Sequence, residues 1–201
     1  MEFLTLVVLV AIGTYVLKTR DQTRRIRLLG SHLGQYQIEK LMETLTDGYL
    51  RCLGEKDEAR REQIWALLAQ SELALSSQFD KFAAGFAKVD AAQTRVSKLP
   101  IALPFADRLL PGATFDVRQV FLVHARGIAA AAANTAQQSP RDKAFMLSAE
   151  LFLMQHTCHW FCRSRAVASA RLQVRHQTSH AMALVSVSPA TREAYRALTG
   201  V

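Results

Sequence analysis

The chain has 201 residues, half of them hydrophobic, and a formal net charge of +8. Its three cysteines are too few for a disulfide scaffold and fit a reducing compartment. The excess positive charge lies in residues 18–27 and 163–180, and the remaining sequence is balanced. This distribution excludes a general polycation and argues against a nucleic-acid partner.

An uncharged apolar run from Phe3 to Leu17 opens the sequence. It is short against the roughly 20 residues that span a bilayer, but Lys18 and Arg20 can reach the headgroups with their long side chains. Residues 1–17 therefore predict a transmembrane anchor. A cleaved signal peptide and a buried core helix are the alternatives, although no Lys or Arg precedes the run and no Ala-x-Ala site follows it.

Cations follow the apolar run on one side only. We call them the basic flank: Lys18, Arg20, Arg24, Arg25 and Arg27, opposed by Asp21 alone. The positive-inside rule places this side in the cytoplasm and the amino terminus outside. We expect a single-pass protein of a bacterial-type inner membrane. Residues 18–34 then form a basic juxtamembrane helix or hinge, because Gly30 and Gly34 weaken the helix there.

Residues 35–201 predict a cytoplasmic α-helical bundle. Apolar residues recur at three- and four-residue steps. In the second expected helix, residues 58–96, their spacing is nearly heptad, as in helices that pack side by side. Short connections favour antiparallel neighbours. The fold class is therefore all-α: one transmembrane helix, then an elongated four-helix bundle. Its helices are expected at about 38–53, 58–96, 114–134 and 139–187, followed by a short helix from Ser188-Pro189 to Gly200.

Residues 98–112, the crossover, interrupt this pattern. Pro100, Pro104 and Pro111 exclude one regular helix, although a short helix fits between Phe105 and Leu110. The segment is nevertheless apolar. It is interpreted as a lid that seals one end of the bundle or, alternatively, as a partner-binding surface. The candidate partner-binding residues are Leu99, Ile101, Leu103 and Phe105.

Residues 156–162 concentrate potential metal ligands. The candidates are His156, Cys158, His159 and Cys162, with His124 from the preceding helix. Thiolates and imidazoles suit Zn or haem iron, which suggests a redox or sensor protein as an alternative function. Against this, Cys158 and Cys162 fall on the apolar stripe, and no Cys-x-x-Cys pair is present. Core packing is the favoured interpretation, and no cofactor is predicted.

The second positive segment, residues 163–175, contains no acid. Arg163, Arg165, Arg171 and Arg175 could bind anionic lipid, nucleic acid or an acidic partner, or simply form a solvated helix face. Glu150 lies in an apolar stretch and could have a shifted pKa, but it is expected either to pair with an arginine, with Arg126 as the candidate, or to lie at the rim of the core.

Known catalytic signatures are missing from the sequence. It contains no P-loop, no Gly-x-Gly-x-x-Gly, no His-Glu-x-x-His and no Gly-x-Ser-x-Gly. The leading hypothesis is therefore a membrane-anchored scaffold or assembly protein that acts through a protein partner or as a homo-oligomer. An enzyme is the less favoured class.

Overall fold

The computed structural model describes residues 2–201, and most of them are helical. This confirms the expected helical class and the long apolar amino-terminal helix. Two three-residue strands, β1 (Arg95–Ser97) and β2 (Thr114–Asp116), pair antiparallel, and the sequence analysis did not predict them. The helices in the described residues are α1 (Glu2–Leu33), α2 (Ile38–Gly54), α3 (Glu58–Phe86), α4 (Ala91–Thr94), α5 (Ala106–Leu109), α6 (Val117–Ala132), α7 (Pro140–Cys162), α8 (Arg165–His176), α9 (His180–Ser186) and α10 (Pro189–Thr199).

Helix α1 runs unbroken from the apolar run into the basic flank. It passes through Gly30 and ends at Leu33, directly before Gly34, so residues 18–33 of the predicted helix or hinge are helical. Residues 3–20 are exposed, which contradicts the buried core-helix alternative. Within the described residues, α1 alone is long and apolar enough to cross a membrane. These properties are consistent with a membrane anchor and also with a signal sequence.

The second half of α1 packs against the rest of the chain. Leu29 is buried, and the Arg25 guanidinium lies 5.4 Å from the centroid of the Phe161 ring in α7. The His32 ring meets Phe86 of α3 edge-on, with centroids 5.2 Å apart. The exposed and the packed halves of α1 therefore belong to one rigid element.

A cluster of aromatic rings forms the centre of the core. Phe79, Phe82 and Phe86 project from α3 at helical spacing and meet Phe121 of α6 with ring centroids 5.2–6.4 Å apart. Phe161 of α7 joins Phe86 at 5.9 Å. Edge-on pairs of this kind add to the energy of burial alone. The cluster therefore joins α3, α6 and α7 at one point.

Local chemistry sets most helix ends where the sequence predicted them. Asp116 and Ser139 accept hydrogen bonds from backbone N–H groups in the first turns of α6 and α7. Ser188 caps α10 in the same way, and Gly200 ends it with a φ of 75°. Helix α2 ends at Gly54 as expected. The short helix expected between Phe105 and Leu110 is present as α5.

Two predicted helices are shorter than expected. Helix α3 ends at Phe86 rather than near Val96; residues 91–94 form the separate helix α4, and residues 95–97 pair with β2. Helix α7 ends at Cys162 rather than near Val187. Arg163 leaves the helical conformation, and the Ser164 hydroxyl accepts from Val167 N to begin α8. The two longest of the four expected helices are therefore shorter, and α8 and α9 occupy the second part of the expected fourth helix.

We predict that Phe121→Ala lowers the free energy of unfolding by about 3–5 kcal/mol, because it leaves a cavity at the centre of the aromatic cluster. The matched control is Phe145→Ala, since Phe145 is 55 % exposed. It should cost about 1 kcal/mol or less. Denaturant titration of the full chain in detergent, followed by circular dichroism, measures both. Equal losses for the two variants would contradict the assignment of the core.

Candidate functional site

The proposed metal ligands of residues 156–162 contact different neighbours. The His156 ring stacks on His180 with centroids 4.2 Å apart, and its Nε2 lies 3.1 Å from Ser169 Oγ. His159 Nδ1 lies 3.1 Å from Arg171 Nη1. The Cys158 thiol donates to Met154 Sδ at 3.8 Å. These side chains therefore do not converge on a common point.

His124 lies on α6 and is fully buried. Its Nε2 is 2.8 Å from Thr157 Oγ1 in α7, and its ring lies 5.7 Å from Tyr195 of α10. Burial lowers the pKa of His124 to about 3. Burial, together with the nearby His180, lowers that of His156 to about 2. Both rings are therefore neutral at physiological pH and serve the packing of the helices.

The two thiols also show the properties of core residues. Burial raises the pKa of Cys158, and it raises that of Cys162 to about 11. Both side chains pack against the hydrophobic core. Among residues 2–201, no group of three or more His, Cys, Asp and Glu side chains is placed to hold a metal ion. The geometry therefore gives the metal or haem alternative no support.

Glu150 of α7 is buried without the cation that the sequence analysis expected. Arg126 is exposed, so the predicted pairing is wrong. Instead, Ser188 N donates to Glu150 Oε1 at 3.1 Å. Burial raises the pKa of this carboxyl, and hydrogen bonds with Thr191 and Ser188 offset only part of that effect. The carboxyl joins α7 to the start of α10 as a structural contact.

A second buried carboxyl, Glu72 of α3, has two partners. The Tyr49 hydroxyl of α2 donates to Glu72 Oε1 at 2.6 Å, and the Lys143 ammonium of α7 donates to Oε2. Burial and the neighbouring carboxylate raise the pKa of Tyr49. This network was not predicted from the sequence. The pattern that could have indicated it is the position of Glu72, four residues after Leu68 and three before Leu75, which places an acid on the buried face of α3.

A groove of about 800 Å³ lies between α2, α7 and the α8–α9 connection. Leu50 and Leu53 of α2 and Phe145 of α7 are exposed along it. The Phe152 ring stacks on His176 with centroids 3.9 Å apart. We call this feature the groove; it is lined by Thr46, Tyr49, Leu50, Leu53, Gln138, Asp142, Ala144, Phe145, Met146, Ser148, Ala149, Phe152, Arg175, His176, Gln177, Thr178, Ala183 and Ser186. Three distant segments form it, so no local sequence pattern could reveal it.

The four arginines of residues 163–175 contact four different groups. Arg163 Nη1 donates to Gln22 Oε1 of α1 at 2.7 Å. Arg165 lies over the Trp160 ring, 5.8 Å from its centroid. Arg171 contacts His159, as described above. Arg175 Nη1 lies 3.9 Å from Glu39 Oε1. Arg163, Arg171 and Arg175 nevertheless remain exposed, so this charge still faces solvent.

The crossover packs against the corner between α7 and α8. The Trp160 indole donates to Ser97 O at 2.9 Å, and Ala166 N donates to Pro100 O at 3.0 Å. Leu99 and Leu103 are half-buried, whereas Ile101 and Phe105 are exposed. The four residues predicted as a partner-binding surface are thus divided between internal packing and solvent.

The basic flank is mostly free of internal contacts. Arg25 pairs with Asp21 at 2.8 Å and is half-buried. The other members are exposed to solvent: Lys18, Arg20, Arg24 and Arg27. Arg20, Arg24 and Arg27 share a shallow cleft of about 330 Å³ with Thr19 and Thr23. This surface begins directly after the apolar run.

Comparisons of the chain with protein-family models, curated proteins and solved structures found no match. The functional interpretation therefore depends on the chain's own residues.

We predict that Gly127→Ala destabilises the protein by about 1–3 kcal/mol through overpacking. A Cβ at this position would lie 2.5 Å from Glu150 Oε2 and closer still to Thr191 Oγ1. The matched control is Gly30→Ala, where a Cβ would meet nothing within 4 Å. It should stabilise the helix by about 0.5–1 kcal/mol. Denaturant titration of both variants measures the two changes in the free energy of unfolding. A Gly127→Ala protein more stable than the native chain would contradict the close packing of Gly127 against Glu150 and Thr191.

We predict that Glu150→Gln becomes more stable than the native chain as the pH rises. A raised folded-state pKa means that the native chain loses stability as pH increases from about 4.5, the ordinary value, through the folded pKa. Glutamine keeps the acceptor for Ser188 N and does not ionise. Denaturant titrations at pH 4.5 and pH 8 measure the difference.

The control is Glu72→Gln, which removes a paired carboxylate. It should lose about 1.5–3 kcal/mol at pH 8, because Tyr49 and Lys143 lose a charged acceptor. A Glu150→Gln protein that loses as much stability as Glu72→Gln at pH 8 would show that the Glu150 carboxylate is well solvated or paired.

Proposed function

We propose that this chain is a single-pass membrane protein whose helical domain acts as a scaffold or assembly factor on the cytoplasmic face. The observation that carries the proposal is α1 itself. Its first half is apolar and exposed, and its second half is packed against α3 and α7 in the same unbroken helix. An exposed apolar stretch of this length is costly in water and stable in a bilayer.

The basic flank supports the cytoplasmic orientation. Four of its five cations remain exposed in the folded chain, so they are free to stay on the cytoplasmic side of the membrane. Because the packed half of α1 begins only four residues after Leu17, the domain is held close to the bilayer.

The groove supports a binding role rather than a catalytic one. It presents exposed Leu50, Leu53 and Phe145 along α2 and α7, with Arg175 at its border. A groove between helices that carries apolar side chains suits an amphipathic helix of a partner protein. No nucleophile–base pair or metal-ligand set accompanies it among the lining residues.

Limited proteolysis tests the membrane topology. Trypsin should digest the domain in inverted membrane vesicles and leave it intact in sealed spheroplasts, since Lys and Arg are exposed on the cytoplasmic side. The intact mass of the membrane-bound protein should retain residues 1–17. A domain protected in inverted vesicles would reverse the orientation, and a mass lacking the run would identify it as a signal sequence.

Cross-linking in membranes tests the binding role. A partner that is cross-linked to the native chain should be lost from a Leu50→Arg, Phe145→Arg variant, because two cations would enter the apolar groove. Leu67→Arg is the matched control, since Leu67 is exposed on α3 outside the groove. A partner that is retained by the double variant, or lost equally with the control, would contradict binding in the groove.

A further inference from the structure

Part of the crossover exposes apolar side chains next to the membrane-proximal part of α1. We call these residues the crossover patch: Ile101, Phe105, Leu109 and Leu110. Ile101 is 63 % exposed and Phe105 50 %, although neighbouring Ala106 is buried. The lid interpretation accounts for Leu99 and Leu103, which are half-buried, but not for these four residues. Exposed apolar side chains grouped in this way are typical of contact sites for a membrane or for another protein.

The backbone itself turns Phe105 outward. Phe105 has a φ of 57°, a left-handed conformation that bulky side chains rarely adopt. Its carbonyl accepts hydrogen bonds from Arg108 N and Leu109 N, which start α5. Such a conformation persists only where the surrounding structure enforces it, and it is common at contact sites. The fold therefore holds a large aromatic side chain at the surface.

The crossover lies beside α1 just after the basic flank begins. Phe105 and Arg108 line a cleft of about 230 Å³ together with Arg24 and Leu28 of α1. Ile101 and Leu103 line a smaller cleft with Asp21 and Arg25. The crossover therefore lies level with residues 21–28 of α1.

The part of α1 that lies beside the crossover is at the depth of the lipid headgroups if residues 3–17 span the hydrocarbon core. Arg24 and Leu28, which line the cleft with Phe105, lie seven and eleven residues after Leu17, or about 10 and 16 Å along a helix axis. The headgroup layer of one leaflet is about 5–8 Å thick. In addition, the apolar run is only about 22 Å long, against about 30 Å for a hydrocarbon core. This mismatch of about 8 Å draws the flank and everything packed against it toward the bilayer, which sets the headgroup layer at about 8–16 Å beyond Leu17.

The charge around the crossover patch suits an anionic leaflet. Arg20, Arg24 and Arg27 are exposed on α1, and Arg108 is exposed on α5. Of the nearby acids, Asp21 and Asp107 are half-buried and Asp90 is exposed, so the exposed cations outnumber the exposed acids. Apolar side chains surrounded by arginines are typical of segments that lie in the interface of anionic membranes.

We propose that the crossover patch is a second, interfacial contact with the bilayer, made with anionic phospholipid of the cytoplasmic leaflet. This inference rests on the proposed membrane anchor. The protein is then held at two points, by a spanning helix and by side chains that insert at headgroup depth. A protein partner on the patch is the competing outcome that the following test separates.

Depth-dependent quenching tests the contact in the full chain. Phe105→Cys, labelled with the environment-sensitive dye NBD, is placed in nanodiscs of phosphatidylcholine and phosphatidylglycerol that contain a spin-labelled lipid. Native thiols react little, since Cys52 is buried and burial raises the pKa of Cys158 and Cys162. The native chain, treated identically, is the blank.

Two further labelled sites give the controls. Leu9→Cys reports insertion of the anchor. Val174→Cys reports a site far from the bilayer, because Val174 is 85 % exposed and its neighbour Arg175 lies near Glu39, beyond the distal end of α1. Residue 33 at that end is about 24 Å from Leu17 along the helix.

We expect the dye at position 105 to shift to shorter wavelength and to lose most of its emission to a quencher at headgroup depth, while position 174 stays unchanged. Quenching at position 9 without quenching at position 105 would overturn the contact and leave the anchor intact; the patch would then be free for a protein. No quenching at either site would overturn both proposals. Equal quenching in discs of phosphatidylcholine alone would overturn the requirement for anionic lipid.

Discussion

The packing of α1 against the end of α7 is the contact on which the arrangement depends. Arg25 lies over the Phe161 ring, and Arg163 donates to Gln22, so the basic flank and the α7–α8 corner hold each other. Phe161 in turn belongs to the aromatic cluster of the core. Because a cation over an aromatic ring is stronger when it is shielded from water, half-buried Arg25 gains from this position. Helix α1 is thereby coupled to the core through side chains rather than through a flexible linker.

Helix ends that depend on local chemistry could be predicted from the sequence. Ser139-Pro140, Ser188-Pro189 and Gly200 carry their own capping and turn preferences, and the structure uses them as expected. The end of α7 at Cys162 could not be predicted in this way. Neither Gly nor Pro marks it, and the helix stops where Arg163 reaches α1 across the fold. The β1–β2 pair likewise joins segments on either side of the crossover, which no periodicity reveals.

The same distinction between local patterns and contacts formed by the fold applies to the site residues. The basic flank was identifiable because it is contiguous in sequence, and its members remain exposed in the structure except for Arg25. Glu150 and His124 could be recognised as polar groups in apolar helices, but their partners could not, since Ser188 and Thr157 come from segments that only the fold brings near. Residues 156–162 looked like a ligand set because they are close in sequence. On a helix, however, successive side chains point in different directions, so residues that are close in sequence do not all reach the same point in space.

Helix α8 begins at the crossover, where Ala166 N donates to Pro100 O, and ends at the groove, which Arg175 and His176 border. Its twelve residues cover about 18 Å. If the crossover lies on the bilayer, a protein held in the groove works within roughly one small-domain radius of the lipid. Its size and the shape of its lipid-facing side are then restricted by steric clearance. Under the proposed membrane contact and groove binding, the length of α8 would limit the size of the partner that fits between the groove and the bilayer, independently of the chemistry of the groove.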